Sequence, residues 1–414
     1  MRGSIWGRMG FGVSLAALLG LGLGCGPAAV AAGMTGTTPS AATTAVTPAA
    51  PTPAADPIGG PRMGETGVVL DLPPGVPTPP EFPAGCYLVA DLDSGAVILA
   101  KCPHTKGLPA STIKALTALA LVDDLSPADV VVATADDANQ EGSKVGLTPG
   151  SGYTVEQLFL GMLLNSGNDA AWALARRRGE TEAVAAMNRT AEHLGAHDTH
   201  ARNPSGLDAP DQVTSVYDLA LIGRAVLRHD RLAEYVKTMR VAFPGARVPG
   251  GGPRGSYEIS NHNRMLPNYP GTIGVKNGYT VKARRTFIGA ARRGDAGYVV
   301  TYLNSATADW RSTGKLLDWA FAHGRRVGPV GTLVEPGSPQ ARPPEGYDAA
   351  DGSATANGAG DSVLRAAGAA GATDLGRSAV TWLADHPEVL LFSGGAFGVV
   401  AAGIGISAGT RREP

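Results

Sequence analysis

The sequence is poor in the residues that mark several common chemistries. Across 414 residues there are three cysteines, eight histidines and a formal net charge of −1. A near-neutral balance offers no basic face, so no nucleic acid is expected as a partner. There is no H-E-x-x-H. His193, His197 and His200 are spaced like metal ligands, but Gly195 breaks the helix that would have to align them. We therefore read a surface helix end there and expect no metal and no cofactor. Gly250-Gly251-Gly252 lacks the G-K-[ST] of a phosphate loop and reads as a hairpin loop. Glycine and proline, in contrast, are plentiful at 57 and 31 residues, and much of the excess flanks the central part of the chain, where it marks linkers.

The two ends carry export and anchoring signals. Arg2 and Arg8 precede an apolar stretch from Phe11 to Leu23 and the small residues Ala29-Val30-Ala31. That is the pattern of a signal peptide over residues 1–32, cleaved after Ala31 or Ala32. Cys25 raises a lipoprotein alternative, but Gly22 stands where a large aliphatic is expected. A disordered Pro/Thr/Ala-rich spacer is expected over 33–68, a folded domain over 69–328 and a Gly/Ala/Pro-rich linker over 329–387. From Val389 to Gly409 there are 21 residues without formal charge, followed by Arg411 and Arg412. That length spans a bilayer as a helix, read as a transmembrane helix over 388–410 with a cytoplasmic tail over 411–414. Because arginines favour the cytoplasmic side, the folded domain lies outside the cell. The competing reading is a Gly-rich buried helix, since six glycines weaken a helix in water.

Loss of the signal leaves Cys86 and Cys102, and an even pair in an exported protein invites a disulfide. Two apolar segments, Cys86 to Asp91 and Ala96 to Cys102, flank the turn Asp93-Ser94-Gly95. Both cysteines are equidistant from Ser94, so a symmetric hairpin places them opposite each other.

Three short motifs carry the chemistry: Ser111-Thr112-Ile113-Lys114, Ser166-Gly167-Asn168 and Lys276-Asn277-Gly278. A serine hydroxyl is a poor nucleophile until a neighbour takes its proton. If Pro109 and Ala110 lead into a helix buried by the apolar run from Ile113 to Val122, the i, i+3 spacing sets the Lys114 amine beside the Ser111 hydroxyl. Burial and a second cation, which Lys276 could supply, lower the Lys114 pKa and let the neutral amine act as general base. Together the motifs read as one acyl-transfer site.

The chain resembles the D-alanyl-D-alanine carboxypeptidases among the low-molecular-weight penicillin-binding proteins, over roughly residues 84 to 323. The resemblance is carried by the stretch from Pro109 to Leu119, by Met162 to Ala171, by Asn203-Pro204-Ser205-Gly206-Leu207 and by Gly274 to Thr280. It implies a peptidase that releases D-alanine from peptidoglycan stem peptides and is trapped by β-lactams as slow acyl-enzymes. It also implies the roles: Ser111 as nucleophile, Lys114 as base, Ser166 as proton relay to the leaving amine, Asn168 on the substrate backbone, and Lys276 on the substrate carboxylate. The backbone N–H groups of Ser111 and Tyr279 would hold the oxyanion. The third motif departs from the family's usual Lys-Thr-Gly in having Asn277, so Thr280, two residues after Gly278, is expected to share the carboxylate-binding role.

Apolar periodicity predicts helices over Val155 to Leu164, Asp169 to Arg177, Thr181 to Leu194, Ser215 to Leu227 and Asp309 to Ala322. Strands are expected over Gly274 to Tyr279, Arg285 to Arg292 and Tyr298 to Asn304. Two β-rich ends around a helical insert point to an α/β (α+β) fold in which the first hairpin and last strands share an antiparallel sheet flanked by helices. This matches the serine β-lactamase/transpeptidase architecture that the resemblance implies. Two alternatives share that scaffold: a β-lactamase, for which no suitably placed deacylating glutamate is evident, and a catalytically weak penicillin-binding or scaffold protein.

Overall fold

Hydrophobic alternation on either side of Asp93-Ser94-Gly95 produces the hairpin around which the rest is built. Asp91 Oδ1 accepts from the Ser94 N–H and hydroxyl, both at 2.8 Å, closing the turn. A computed structural model describes residues 57–342. The signal peptide, the lipoprotein alternative at Cys25, the spacer up to residue 56, the linker from residue 343, the transmembrane helix and the tail all lie outside the described residues.

In chain order the first elements are β1 (Val68–Val69), β2 (Cys86–Asp91), β3 (Ala96–Lys101), α1 (Lys114–Leu121), β4 (Val130–Val132), α2 (Ala135–Ala138) and β5 (Gly152–Thr154). Then come α3 (Val155–Leu164), α4 (Asn168–Arg178), α5 (Glu180–Leu194), α6 (Val216–Arg228), α7 (Asp230–Lys237), β6 (Arg240–Pro244) and β7 (Ser256–Ser260). The last are α8 (Met265–Asn268), β8 (Thr272–Thr280), β9 (Arg284–Arg293), β10 (Ala296–Ser305), α9 (Trp310–His323) and β11 (Gly331–Thr332). The main sheet is antiparallel in the order β1-β3-β2-β10-β9-β8, with β11 also pairing with β3. An early strand, β2, and a late one, β10, therefore meet at the centre of one sheet, and β8 is left at its edge.

Strand alternation divides the core between the two sheet faces. Tyr298, Val300 and Tyr302 of β10 pack with Leu316, Leu317 and Trp319 of α9. Val299 and Leu303 face the helical part, with Leu219 and Ile222 of α6. Gly223 of α6 is needed there, because a Cβ would come 2.5 Å from the Ile288 Cγ2 atom.

Cys86 and Cys102 are bonded, with Cα atoms 5.4 Å apart. The neighbouring pair Tyr87 and Lys101 is in register, which brings the cysteines face to face, while a bulge between Val89 and Ala90 shifts the register nearer the turn.

At both ends the folded part is longer than the composition suggested. Residues 57–68, assigned to the spacer, contain a fully buried Met63, and Val68 begins β1. Residues 329–342, assigned to the linker, contain β11 and the buried Val330, Leu333, Val334 and Ala341. Glycine and proline hide these apolar residues from a composition-based reading, yet they cover the outer edge of β3. Gly250-Gly251-Gly252 lies between the antiparallel partners β6 and β7, in the hairpin loop that the sequence suggests.

Candidate active site

Ser111 lies in a short 3-10 turn, Ala110–Ile113, that runs into α1 at Lys114. The sequence suggested one helix, but Ala110 has φ 48°, a left-handed conformation that sets the turn off from the chain before it. The Pro109 carbonyl accepts from Thr112 Oγ1 at 2.6 Å and from Thr286 Oγ1 at 2.8 Å. Thr286 pairs with Gly278 across β8 and β9, so the nucleophile's turn is tied to the edge of the sheet.

Lys114 is fully buried, and its Nζ lies 3.0 Å from Ser111 Oγ. Nζ donates to Asn168 Oδ1 at 2.7 Å and to the Ser205 carbonyl. A neutral amine has two N–H groups and one lone pair. With two acceptors supplied by the protein, the lone pair is left for the serine proton. Burial holds the Lys114 pKa well below the ordinary lysine value and the nearby Lys276 lowers it further, while Asp169 opposes the shift.

The Ser205 carbonyl is presented by a turn in which Asn203 Oδ1 accepts from Ser205 N at 3.1 Å, Ser205 Oγ at 2.9 Å and Gly206 N at 2.8 Å. Gly206, at φ 88°, packs directly on the Ala110 carbonyl, where a Cβ could not fit.

Ser166 follows α3, is 4% exposed and sits at φ 59°. Strained non-glycine backbone of this kind persists only where its surroundings over-determine it. Asn168 then opens α4. Its Nδ2 donates to the Glu141 carbonyl at 2.5 Å, and its oxygen is taken by Lys114. Asn168, expected on the substrate, is therefore first a partner of the lysine, with one amide hydrogen left over. Asp169, which the sequence reading passed over, is fully buried and accepts from the N–H groups of Val145, Gly146 and Leu147 at 2.8 to 2.9 Å. It holds the loop that walls the site.

Lys276 stands on β8, 1% exposed, and donates to the Asn277 carbonyl at 2.8 Å; burial pushes its pKa down to about 7. At Gly278 a Cβ would lie 2.8 Å from Ser111 N, so only glycine lets the strand approach the nucleophile's turn. The Tyr279 side chain is 64% exposed. Thr280, expected to share the carboxylate-binding role, instead donates its hydroxyl to Asp208 Oδ1 and accepts from Ala283 N, both at 2.9 Å. That donor is in use within the protein.

Ser111, Lys114, Asn168 and the Ser205 carbonyl thus form one connected group, with Lys276 close enough to act on Lys114 electrostatically. A family profile described as D-alanyl-D-alanine carboxypeptidase, Peptidase S11, matches residues 75–307. The chain belongs to this family. Among curated proteins it is 40% identical over 251 residues to the D-alanyl-D-alanine carboxypeptidase DacB2 of Mycobacterium tuberculosis, covering 59% of this chain and 84% of that protein. Among solved structures, a D-alanyl-D-alanine carboxypeptidase of M. tuberculosis H37Rv superposes with TM-score 0.58 at 39% identity, over 63% of this chain and 98% of the other. The Streptomyces K15 DD-transpeptidase superposes with TM-score 0.57 at 27% identity, over 59% and 100%. The chain is a serine-type D-alanyl-D-alanine carboxypeptidase on a penicillin-binding-protein fold.

The residues missed in the sequence are Ser205, Asp169, Thr286 and Asp208. Asn203-Pro204-Ser205-Gly206-Leu207 and the stretch containing Asp169 carried the family resemblance, but nothing local gave Ser205 or Asp169 a partner.

Proposed function

We propose that Ser111 Oγ attacks the carbonyl carbon of the penultimate D-alanine of a peptidoglycan stem peptide while Lys114 Nζ takes its proton. The C–N bond to the terminal D-alanine breaks, and Ser166 passes a proton to the departing amine. Water then attacks the Ser111 ester, frees the shortened peptide and returns the proton to the serine. The observation that supports this is the arrangement at Lys114: two N–H groups engaged by Asn168 and Ser205, and the third direction aimed at Ser111 Oγ. The backbone N–H groups of Ser111 and Tyr279 receive the oxyanion, consistent with the close packing of Gly278 on Ser111 N. Lys276, with the Asn277 amide beside it, attracts the substrate's terminal carboxylate.

β-Lactams present the same carbonyl to the same serine and remain as acyl-enzymes. The export signal and the apolar segment before Arg411 support a membrane-anchored enzyme with its active domain outside the cell, although both lie outside the described residues.

The test incubates full-length protein with a stem pentapeptide and with benzylpenicillin. D-Alanine release, with a stable adduct mapped to Ser111, is the expected result. Rapid penicillin turnover would indicate a β-lactamase, and neither activity a scaffold protein. An adduct on Ser111→Ala would show that the nucleophile is another residue.

A further inference from the structure

Seven residues before the nucleophile, His104 meets two buried carboxylates that the acyl-transfer site does not use. One ligand atom each from His104, Asp198 and Asp218 lies within 4.8 Å of the others. His104 Nε2 lies 2.9 Å from the Ile58 carbonyl and Nδ1 lies 2.6 Å from Asp198 Oδ2. Both ring nitrogens are thereby engaged, Nδ1 in an ion pair with Asp198 that a metal ion would have to open to reach the imidazole lone pair.

Asp218 supplies the second, independent observation. It is 1% exposed, and its Oδ1 atom has no hydrogen-bond partner among the described residues. Its other oxygen accepts from Thr199 Oγ1 at 2.7 Å. Asp218 also stands three residues after the Ser215 N-cap of α6, where an acid ordinarily turns back to close a capping box. Its N–H bonds Ser215 Oγ at 3.1 Å, and its carboxylate meets the hydroxyls of Thr199 and Ser215 within reach of His104. An orphaned oxygen on a fully buried carboxylate is costly unless something meets it.

We propose that His104, Asp198 and Asp218 form a three-ligand site for a divalent transition-metal cation of the zinc type. One imidazole nitrogen and two carboxylate oxygens suit zinc, whereas calcium needs six or more oxygens. Tetrahedral bonds of about 2.0–2.2 Å separate ligand atoms by about 3.4 Å, so a small rearrangement within the present cluster admits the ion. The His104 side chain is 21% exposed, which gives access from solvent, and water would take the fourth position. The two charges of the cation balance the two carboxylates once the imidazole has released the proton it holds toward Asp198.

The ion would clamp four segments together. These are the start of the described chain at Ile58, the strap from Pro103 to Ala110 that delivers Ser111, the turn at Asp198-Thr199, and α6. Backbone bonds already align that strap, from Tyr217 N to the Pro103 carbonyl at 3.1 Å and from Gly107 N to the Thr214 carbonyl at 2.8 Å.

The test uses full-length protein in detergent, stripped with chelator and titrated with zinc chloride by calorimetry, with thermal unfolding recorded with and without zinc. One zinc per chain and a rise in Tm of several degrees are expected, both abolished in Asp218→Asn and in His104→Gln. Labelling by a fluorescent penicillin verifies that each variant is folded. If either variant fails to fold, X-ray absorption at the zinc edge of the wild type decides, with one nitrogen and two or more oxygens expected. Absence of binding overturns the proposal. So does equal binding by wild type and variants, which would place zinc at other histidines, or an Asp218→Asn protein stabilised equally with and without zinc, which would mean that the cluster holds only a proton.

Discussion

Removing a residue on which activity depends is expected to make this protein more stable at low pH. Lys276 is buried on β8 with a pKa pushed down to about 7 from 10.5, and burial is the cause. Between those values the unfolded chain holds a proton at this amine that the folded chain has released, so stability rises with pH across the window. Below about pH 7 the folded protein carries the full penalty of a buried ammonium, about 5 kcal/mol by linkage. In Lys276→Met that penalty disappears along with the 2.8 Å bond to the Asn277 carbonyl, itself worth about 1 kcal/mol. After packing losses, the variant should be about 2–4 kcal/mol more stable than wild type at pH 6, with the gap closing by pH 10. Urea unfolding of full-length protein at pH 6, 8 and 10 measures this. Acylation by fluorescent penicillin, followed in parallel, should fall sharply. A stability difference that does not change with pH, or a variant less stable at pH 6, would refute the assignment of a strained lysine at this position.

Other outcomes follow from single contacts. Asn168→Ala leaves a buried N–H of Lys114 without its 2.7 Å acceptor, a cost of about 1–3 kcal/mol, and should slow acylation about 10- to 100-fold in stopped-flow assays. Asn168→Asp puts a carboxylate beside the same amine, favours the ammonium, and should move the ascending limb of the acylation pH profile upward. Gly278→Ala drives a methyl to within 2.8 Å of Ser111 N, and should cost about 1–3 kcal/mol in unfolding experiments while reducing penicillin acylation more than Tm alone would suggest. Replacing both Cys86 and Cys102 with alanine opens a loop with a sequence separation of 16 and should cost about 3 kcal/mol in urea unfolding, leaving the labelled serine unchanged.

The parts of this protein written in local pattern could be read without coordinates. The Ser111 to Lys114 spacing is one, because three residues on a helical turn bring two side chains together whatever surrounds them. The hairpin is another: its symmetry about Ser94 places Cys86 opposite Cys102. The period of apolar residues marked α3 from Val155 to Leu164, and marked α5 and α6 to within a residue or two at each end. Composition was less reliable at the edges of the fold, where Met63 and Leu333 are buried within glycine- and proline-rich stretches.

What the sequence could not supply was the set of groups that meet across long separations. The Lys114 amine takes one acceptor 54 residues away and another 91 residues away, and the second is a backbone carbonyl, which no side-chain motif can reveal. The Thr280 hydroxyl is taken by Asp208, which lies 72 residues away in sequence but 2.9 Å away in the fold. The sequence determined which residues stood ready to act, since conformation over a few residues depends on those residues. The tertiary structure decided their protonation and their partners, because burial and the distance between charges are set only when remote segments pack together.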